Sequence, residues 1–514
     1  MKKQSILLTL SIAVLMTSCS KSFLDLQPEL TLSSNNFYKS ENDYLSTLNA
    51  VYSGYRDVLP SIYVMGELRS DNTTDQFNIG NRGTGTVPFE ELDEFYMTST
   101  NLVNGYWVAG YGAIYKINTF LDLLNNAPEG IITTAGLKER MEAEARFARA
   151  FHYFNLVRFY GDVPLLLKPV EKAGEAFTIP RSPINDVYNA IIEDANFAVE
   201  NLPDAYGTAE KGRITKGAAL TLLAKVQLTR KDYDGAITAL RQIKGYALEP
   251  DYANCFNPAH KNGVESIFEV QYSSDPTTGN NALVFSWVPL GDVAWNAIVN
   301  DGGSGNGTQW NIPTKDLLKN GYYDPADKRK NISVGVVDLP IPGQSSKDPV
   351  AYIKKWIVYT DRSARQQNPC NMVIYRYADV LLMLAEALNE KGYTAGGEAF
   401  DLLNQVRARA GLTKPFTAAD IPNQEAFRLA IERERRIELA FEGHRWFDLL
   451  RTDRALPVMK AYATIEKADP SSYRNPGWEF TSRSYNIQNY MLLYPVPYSE
   501  QIKNPSVVTQ NPGY

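Results

Sequence analysis

Three cysteines and three histidines in 514 residues leave little room for metal or nucleophile chemistry. Zinc sites need Cys and His in closely spaced sets, and no such spacing occurs. The sequence has no His-Glu-x-x-His helix, no Gly-x-Ser-x-Gly elbow and no phosphate-binding loop. It also lacks positive charge: 52 basic residues face 58 acidic ones, which argues against a nucleic-acid partner. After the first residues, no segment reaches the roughly 20 apolar residues of a membrane span. Paired carboxylates such as Glu90 and Glu91, or Glu432 and Glu434, are too common to signal a glycosidase. That chemistry requires a set separation across a cleft, which a sequence does not show. His152 lies among Phe151, Tyr153 and Phe154 and reads as a satisfied packing histidine, and His444 reads as a hydrogen-bonded structural residue. The residues call for no cofactor, no metal and no catalytic group, with a surface glycosidase as the enzymatic alternative.

The N-terminus carries an address. Lys2 and Lys3 form a positive n-region, residues 6–16 a short apolar core, and Met16-Thr17-Ser18-Cys19 comes next. This is a secretory leader, too short to span a membrane. The small residues before Cys19 resemble a bacterial lipobox, which implies cleavage after residue 18 and lipidation of Cys19. A lipid anchor holds a protein to a membrane without crossing it. Losing Lys2 and Lys3 takes the 52 basic residues to 50 against 58 acidic, so the mature chain is mildly acidic. Cys255 and Cys370 are the remaining thiols, and nothing in their spacing asks for a disulfide.

Helical periodicity dominates the chain beyond the leader. Helices are expected over 43–55, 105–125, 137–159 and 183–201, with Gly161 stopping the third and Pro183 opening the fourth. From Lys216 a helix, a tight turn at Lys231-Asp-Tyr-Asp and a second helix from Ala236 form a pair, with small residues Ala218, Ala219 and Ala224 allowing close approach. The same helix–turn–helix grammar returns at 377–389, 391–393 and 399–407. Such tetratricopeptide-like pairs cannot bury their faces alone and want neighbours.

Between the two copies, 247–369 is rich in Gly, Asn, Asp, Ser and Pro. Residues 265–272 alternate as a strand does, while 300–308 can hardly be regular. A stretch this long reads as a loop-built subdomain without helices, and such loops often carry function. Trp287, Trp295 and Trp310 stand in it. Each fits equally a flat face for a sugar ring or the buried anchor of a loop. Asp71 and Asn72, in the polar run 69–75, fit either sugar hydroxyls or the cap of a local turn. Trp107 sits on an amphipathic helix and reads as core; Trp356 fits either role.

The strongest pattern lies near the C-terminus. Glu432 to Arg436 is five charges in a row inside a helical pattern. At about 100° per residue, five positions turn through more than a full circle, so at least one charge faces the packing partner. A buried charge is costly unless paired. The run therefore predicts a buried ion-pair network or a polar functional site. The first is favoured, with Glu432 and Arg436 at pairing distance along the helix and Glu438, Glu442 and Arg445 extending the network.

These features together resemble the SusD/RagB family of Bacteroidetes outer-membrane lipoproteins. The resemblance is carried by the lipobox at Cys19, by Trp107 with Tyr111, Ile114 and Asn118, and by EARFARAFHYFNLVRFYGDVPL at 144–165. It continues through RITKGAA at 213–219, DPADKR at 324–329, YRYADVLLMLAEALN at 375–389, the charged run, LYPVPYSEQIKNP at 493–505 and QNPGY at 510–514. It implies a mainly α fold, a scaffold of tetratricopeptide-like pairs with a large loop-rich subdomain. The expected layout is a leader over 1–18, a tether over 19–30, a helical scaffold over 31–246, the loop-rich subdomain over 247–369 and a C-terminal scaffold over 370–514, with 19–514 one unit. The implied function is capture of a nutrient at the cell surface and its delivery to a SusC-like TonB-dependent transporter in the outer membrane. The nutrient is an oligosaccharide or, alternatively, a peptide, and the loop tryptophans favour the glycan.

Overall fold

A computed structural model describes residues 38–514, apart from 76–86, 276–278, 300–309, 341–344, 358–367, 472–479 and the single positions 101, 171, 173, 280, 290, 320 and 504. Cys19 and the leader lie outside the described residues. The chain is mainly helical. We number the principal helices α1 (Glu41–Tyr63), α2 (Asn104–Asn125), α3 (Leu137–Tyr160), α4 (Ile184–Asn201), α5 (Lys216–Thr229), α6 (Tyr233–Leu240), α7 (Tyr377–Lys391), α8 (Glu398–Arg409), α9 (Gln424–Glu438), α10 (Arg445–Arg451) and α11 (Ala455–Ala468). Among the described residues no helix is long and apolar enough to cross a membrane.

Local chemistry sets the helix ends. The Thr215 side chain accepts from the Ala218 amide at the start of α5, and Asp232 does the same for Gly235 at the start of α6. Each satisfies an amide that the first helical turn leaves without a partner. Gly161, at φ 73°, ends α3 in a conformation that a side chain would strain.

Consecutive helices pack in order from α1 to α6, and α6 then packs on α7. The second helix pair thus stacks directly on the first, and the intervening residues are looped out. Three ion pairs cross this joint: Lys225 to Asp379 at 2.6 Å, Lys391 to Asp234 at 2.8 Å and Arg241 to Glu398 at 2.6 Å. Ala218, Ala219 and Ala224 are fully buried, as close helix packing requires. α3 is buried on nearly all faces and carries its charges paired inside: Glu144 meets Arg213 at 2.9 Å and Arg149 meets Asp194 at 2.7 Å.

The looped-out region is stitched to the scaffold by short strands. β1 (Ser266–Val270) pairs antiparallel with β4 (Met372–Arg376), joining the two ends of the insertion. Between them, β2 (Val334–Pro340) and β3 (Lys347–Ile353) form a hairpin that no sequence pattern announced. Further on the N-terminal side, Thr73–Thr74 pairs with Ile312–Pro313. The expectation of a helix-free insertion is corrected: Asp292–Ile298 and Arg329–Ser333 are helical. Both are one or two turns long, too short to show periodicity. Cys255 and Cys370 are free thiols.

Candidate functional site

Pro60 sits inside α1, where its missing amide opens the hydrogen-bond ladder, and the chain continues as a π-helical turn over Val64–Leu68. This end of α1 forms one wall of an open cleft of about 560 Å³. Arg56, Pro60, Ser61 and Val64 come from α1 and the turn; Phe89, Leu102 and Gly105 come from the segment before and at α2; Tyr272, Leu283, Ser286 and Trp310 come from the insertion. Most of the lining is apolar. Trp310 stacks on Phe89 with ring centroids 5.3 Å apart and planes at 13°. The Arg56 guanidinium lies 5.2 Å from the Tyr272 ring centre and donates through Nε to the Gln271 carbonyl at 2.9 Å. Flat aromatic faces beside fixed polar groups suit a ligand with C–H patches and hydroxyls.

The tryptophans divide. Trp310 lines the cleft, though only 5% of it is exposed. Trp287 is fully buried behind it, at 6.2 Å and 85°, and packs on Tyr63 and Trp356. Trp295 is fully buried against Phe285. The expectation that Trp287 and Trp295 offer a face to ligand is therefore corrected: both are core, because a polar loop region of this size needs large apolar anchors of its own. Trp356 and Trp107 are also core. Phe89, Tyr272 and Arg56 were missed. Tyr272 ends the alternating run 265–272, which was the one signal the sequence offered; Phe89 and Arg56 carried none.

Asp71 and Asn72 are corrected as well. The Asp71 carboxylate accepts from Arg445 Nε at 2.7 Å and Nη2 at 2.9 Å. Burial would raise this carboxyl, but Arg436 and Arg445 outweigh it and hold it at about 2. Asn72 donates through Nδ2 to Glu67 at 2.8 Å and accepts from Arg436 Nε at 2.9 Å. Both side chains are buried and spent on tying the segment after α1 to α9 and α10. Glu67 completes the clasp, accepting from the Phe441 and Gly443 amides at 2.8 and 2.9 Å. Burial pushes its carboxyl up to about 7 in spite of these bonds.

Glu434, Arg435 and Arg436 of the charged run are buried in an ion-pair network, with Glu432 partly exposed and Arg433 exposed, and the partners differ from those expected. Glu432 bonds Arg454 at 2.7 Å and approaches Arg445 at 3.4 Å, while Arg436 goes to Asp316 at 2.9 Å and to Asp71. Glu434 meets Arg329 at 2.6 Å and Arg435 meets Asp379 at 2.7 Å. Glu438 sits among Arg329, Arg376 and Arg409, and Glu442 accepts from Arg376 and Lys355. These cations hold the Glu438 carboxyl well down against a burial that would raise it. The helix is also interrupted: α9 stops at Glu438, and Phe441 and Gly443 take φ of 69° and 76° before α10 begins. His444 is half-buried, and burial lowers its pKa to about 3. His152 is fully buried against Tyr55, and neither ring nitrogen has a hydrogen-bond partner among the described residues. It packs, but it is not satisfied as expected.

Stacked helix pairs bearing a loop-built aromatic cleft define a class of helical proteins with a looped-out surface region. Two family models match the chain: one described as the SusD family over 297–514, and one described as starch-binding, associating with outer membrane, over 22–228. The chain belongs to the SusD/RagB family. It is 28% identical to SusD-like protein P2 of Formosa agariphila, over 98% of each chain. Among solved structures, a SusD homolog from Bacteroides thetaiotaomicron superposes with a TM-score of 0.77 at 25% identity, covering 94% of this chain and 98% of that one. A laminarin-binding SusD-like protein superposes with a TM-score of 0.70 at 26% identity, covering 93% and 100%.

Proposed function

We propose that this protein captures an oligosaccharide at the bacterial surface and passes it to a SusC-like TonB-dependent transporter. In this reading Cys19 carries the lipid that anchors the chain to the outer membrane. The cleft walled by Phe89, Tyr272 and Trp310 carries the proposal. Its lining combines stacked rings, aliphatic side chains and a held guanidinium, and its volume of about 560 Å³ suits a few sugar units. Family membership and the laminarin-binding relative support a glycan over a peptide.

The test is calorimetric titration of the soluble form, lacking the leader and Cys19, with a panel of neutral oligosaccharides. Binding by the wild type and a loss of about tenfold or more in Phe89→Ala and Tyr272→Ala are expected. Equal affinity in both variants would move the site elsewhere. Extraction of the native membrane in mild detergent should recover a TonB-dependent barrel with the protein, and repeated recovery of the protein alone would remove the transporter from the proposal.

A further inference from the structure

A second cleft, of about 630 Å³, lies between α9, α11 and the segment around Tyr322. Its charge is not balanced. Lys319, Arg433, Arg436, Arg445 and Arg454 line it, against Asp71, Asp316 and Glu432. The neighbouring cleft on the other side of Glu432, about 270 Å³, is just as charged but balanced, six cations to six carboxylates. Glu432, Arg445 and Arg454 line both clefts, and of the two only the larger holds an excess of cations, in a chain whose net charge is −6.

Three of the arginines that line this cleft have donors to spare; Arg433 lines this cleft and not its neighbour, and Arg445 and Arg454 stand between the two. Arg454 donates only through Nε, to Glu432, so among the described residues both of its Nη groups lack a protein acceptor. Arg433 is exposed and uses only Nη2, on the Gly321 and Tyr322 carbonyls. Arg445 spends Nε and Nη2 on Asp71 and Glu432 and, among the described residues, leaves Nη1 without an acceptor. Planar guanidinium forks with free edges match the geometry of carboxylate and sulfate oxygens. Pro457, Val458 and Ala461 on α11 add an apolar strip along one wall. Its concavity suits a small ligand better than a folded partner.

We infer that this cleft is a second saccharide subsite that takes an acidic sugar through its carboxylate or sulfate ester, with Arg433 and Arg454 as the anion-binding pair. The inference rests on the reading that the protein binds glycans, and adds the chemical class of glycan. The wild type binds a short oligogalacturonide, a sulfated oligosaccharide of the same length, or both, more tightly than a neutral one, and added salt weakens the acidic ligand alone. Arg454→Gln and Arg433→Gln each cost the acidic ligand about tenfold and leave a neutral ligand unchanged. Arg454 is over a third exposed on its side chain, so its replacement spares the fold; an unchanged thermal midpoint verifies this.

Whichever acidic arm responds identifies the anion. The inference is overturned if neither acidic sugar binds better than the neutral one, or if both variants keep full affinity. It is equally overturned if an acidic peptide shows the arginine dependence and the sugars do not. Loss of neutral binding in Phe89→Ala with no acidic preference would keep the first cleft and remove the second. Absence of all saccharide binding would instead remove the proposed function itself.

Discussion

The seam around α9 and the aromatic cleft beside α1 are built on opposite principles. In the seam, most charges of the densest sequence pattern are turned inward and paired within the chain: Arg376 alone meets Glu265, Glu438 and Glu442. In the cleft, weakly patterned residues leave ring faces and an aliphatic wall open to solvent. The difference teaches that a charged motif can mark what a fold needs for its own closure, whereas the ligand surface is assembled from single residues on several unrelated segments.

The largest expected effect comes from breaking the seam. Glu438→Ala leaves Arg329, Arg376 and Arg409 buried without their shared carboxylate. A loss of roughly 3–5 kcal/mol in urea unfolding is expected, because three buried guanidinium groups each lose one of their carboxylate partners. A loss below about 1 kcal/mol would mean that water reaches the seam. Trp287→Ala tests the other side. As core behind the cleft it should cost about 3–5 kcal/mol, whereas a surface platform would lose affinity and keep its stability.

The Glu67 clasp lies between the two regions, and its effect is smaller. A carboxyl raised to about 7 in the fold, from an unfolded value of 4.5, takes up a proton more readily when folded. Its contribution is therefore fully present below pH 4.5 and is lost as pH rises through 7. Stability falling by about 3 kcal/mol across this window is expected, with a flatter profile in Glu67→Gln. A wild-type profile that rises through this window would sink the assignment. The smallest effect belongs to Arg454→Ala. Its partner Glu432 is also partly exposed, so a change within about 1 kcal/mol is expected in thermal unfolding.

Much of the scaffold was legible because helices repeat every few residues. The expected 105–125 and 183–201 are α2 and α4 almost to the residue. The helix expected over 43–55 runs instead from Glu41 to Tyr63, carrying Pro60 within its last turn ahead of the π-helical turn. The β2–β3 hairpin and the pairing of Thr73–Thr74 with Ile312–Pro313 were illegible, since sheet partners lie far apart in sequence. For the candidate site, composition flagged Trp310 but not which of three tryptophans faces outward. That depends on what each loop packs against. Phe89 was invisible because nothing near it in sequence announces that Trp310 will stack on it.

The reach of the Glu438 contacts has a consequence for the order of assembly. Glu438 finds Arg376 from 62 residues back and Arg329 from 109, while Arg376 and Arg409 reach Glu265 across 111 and 144. Helix pairs close over short loops and need no such search. Contacts of such long sequence separation favour late closure of this ring of charges. Late closure of this ring predicts that substitutions at Glu438 speed unfolding far more than they slow folding.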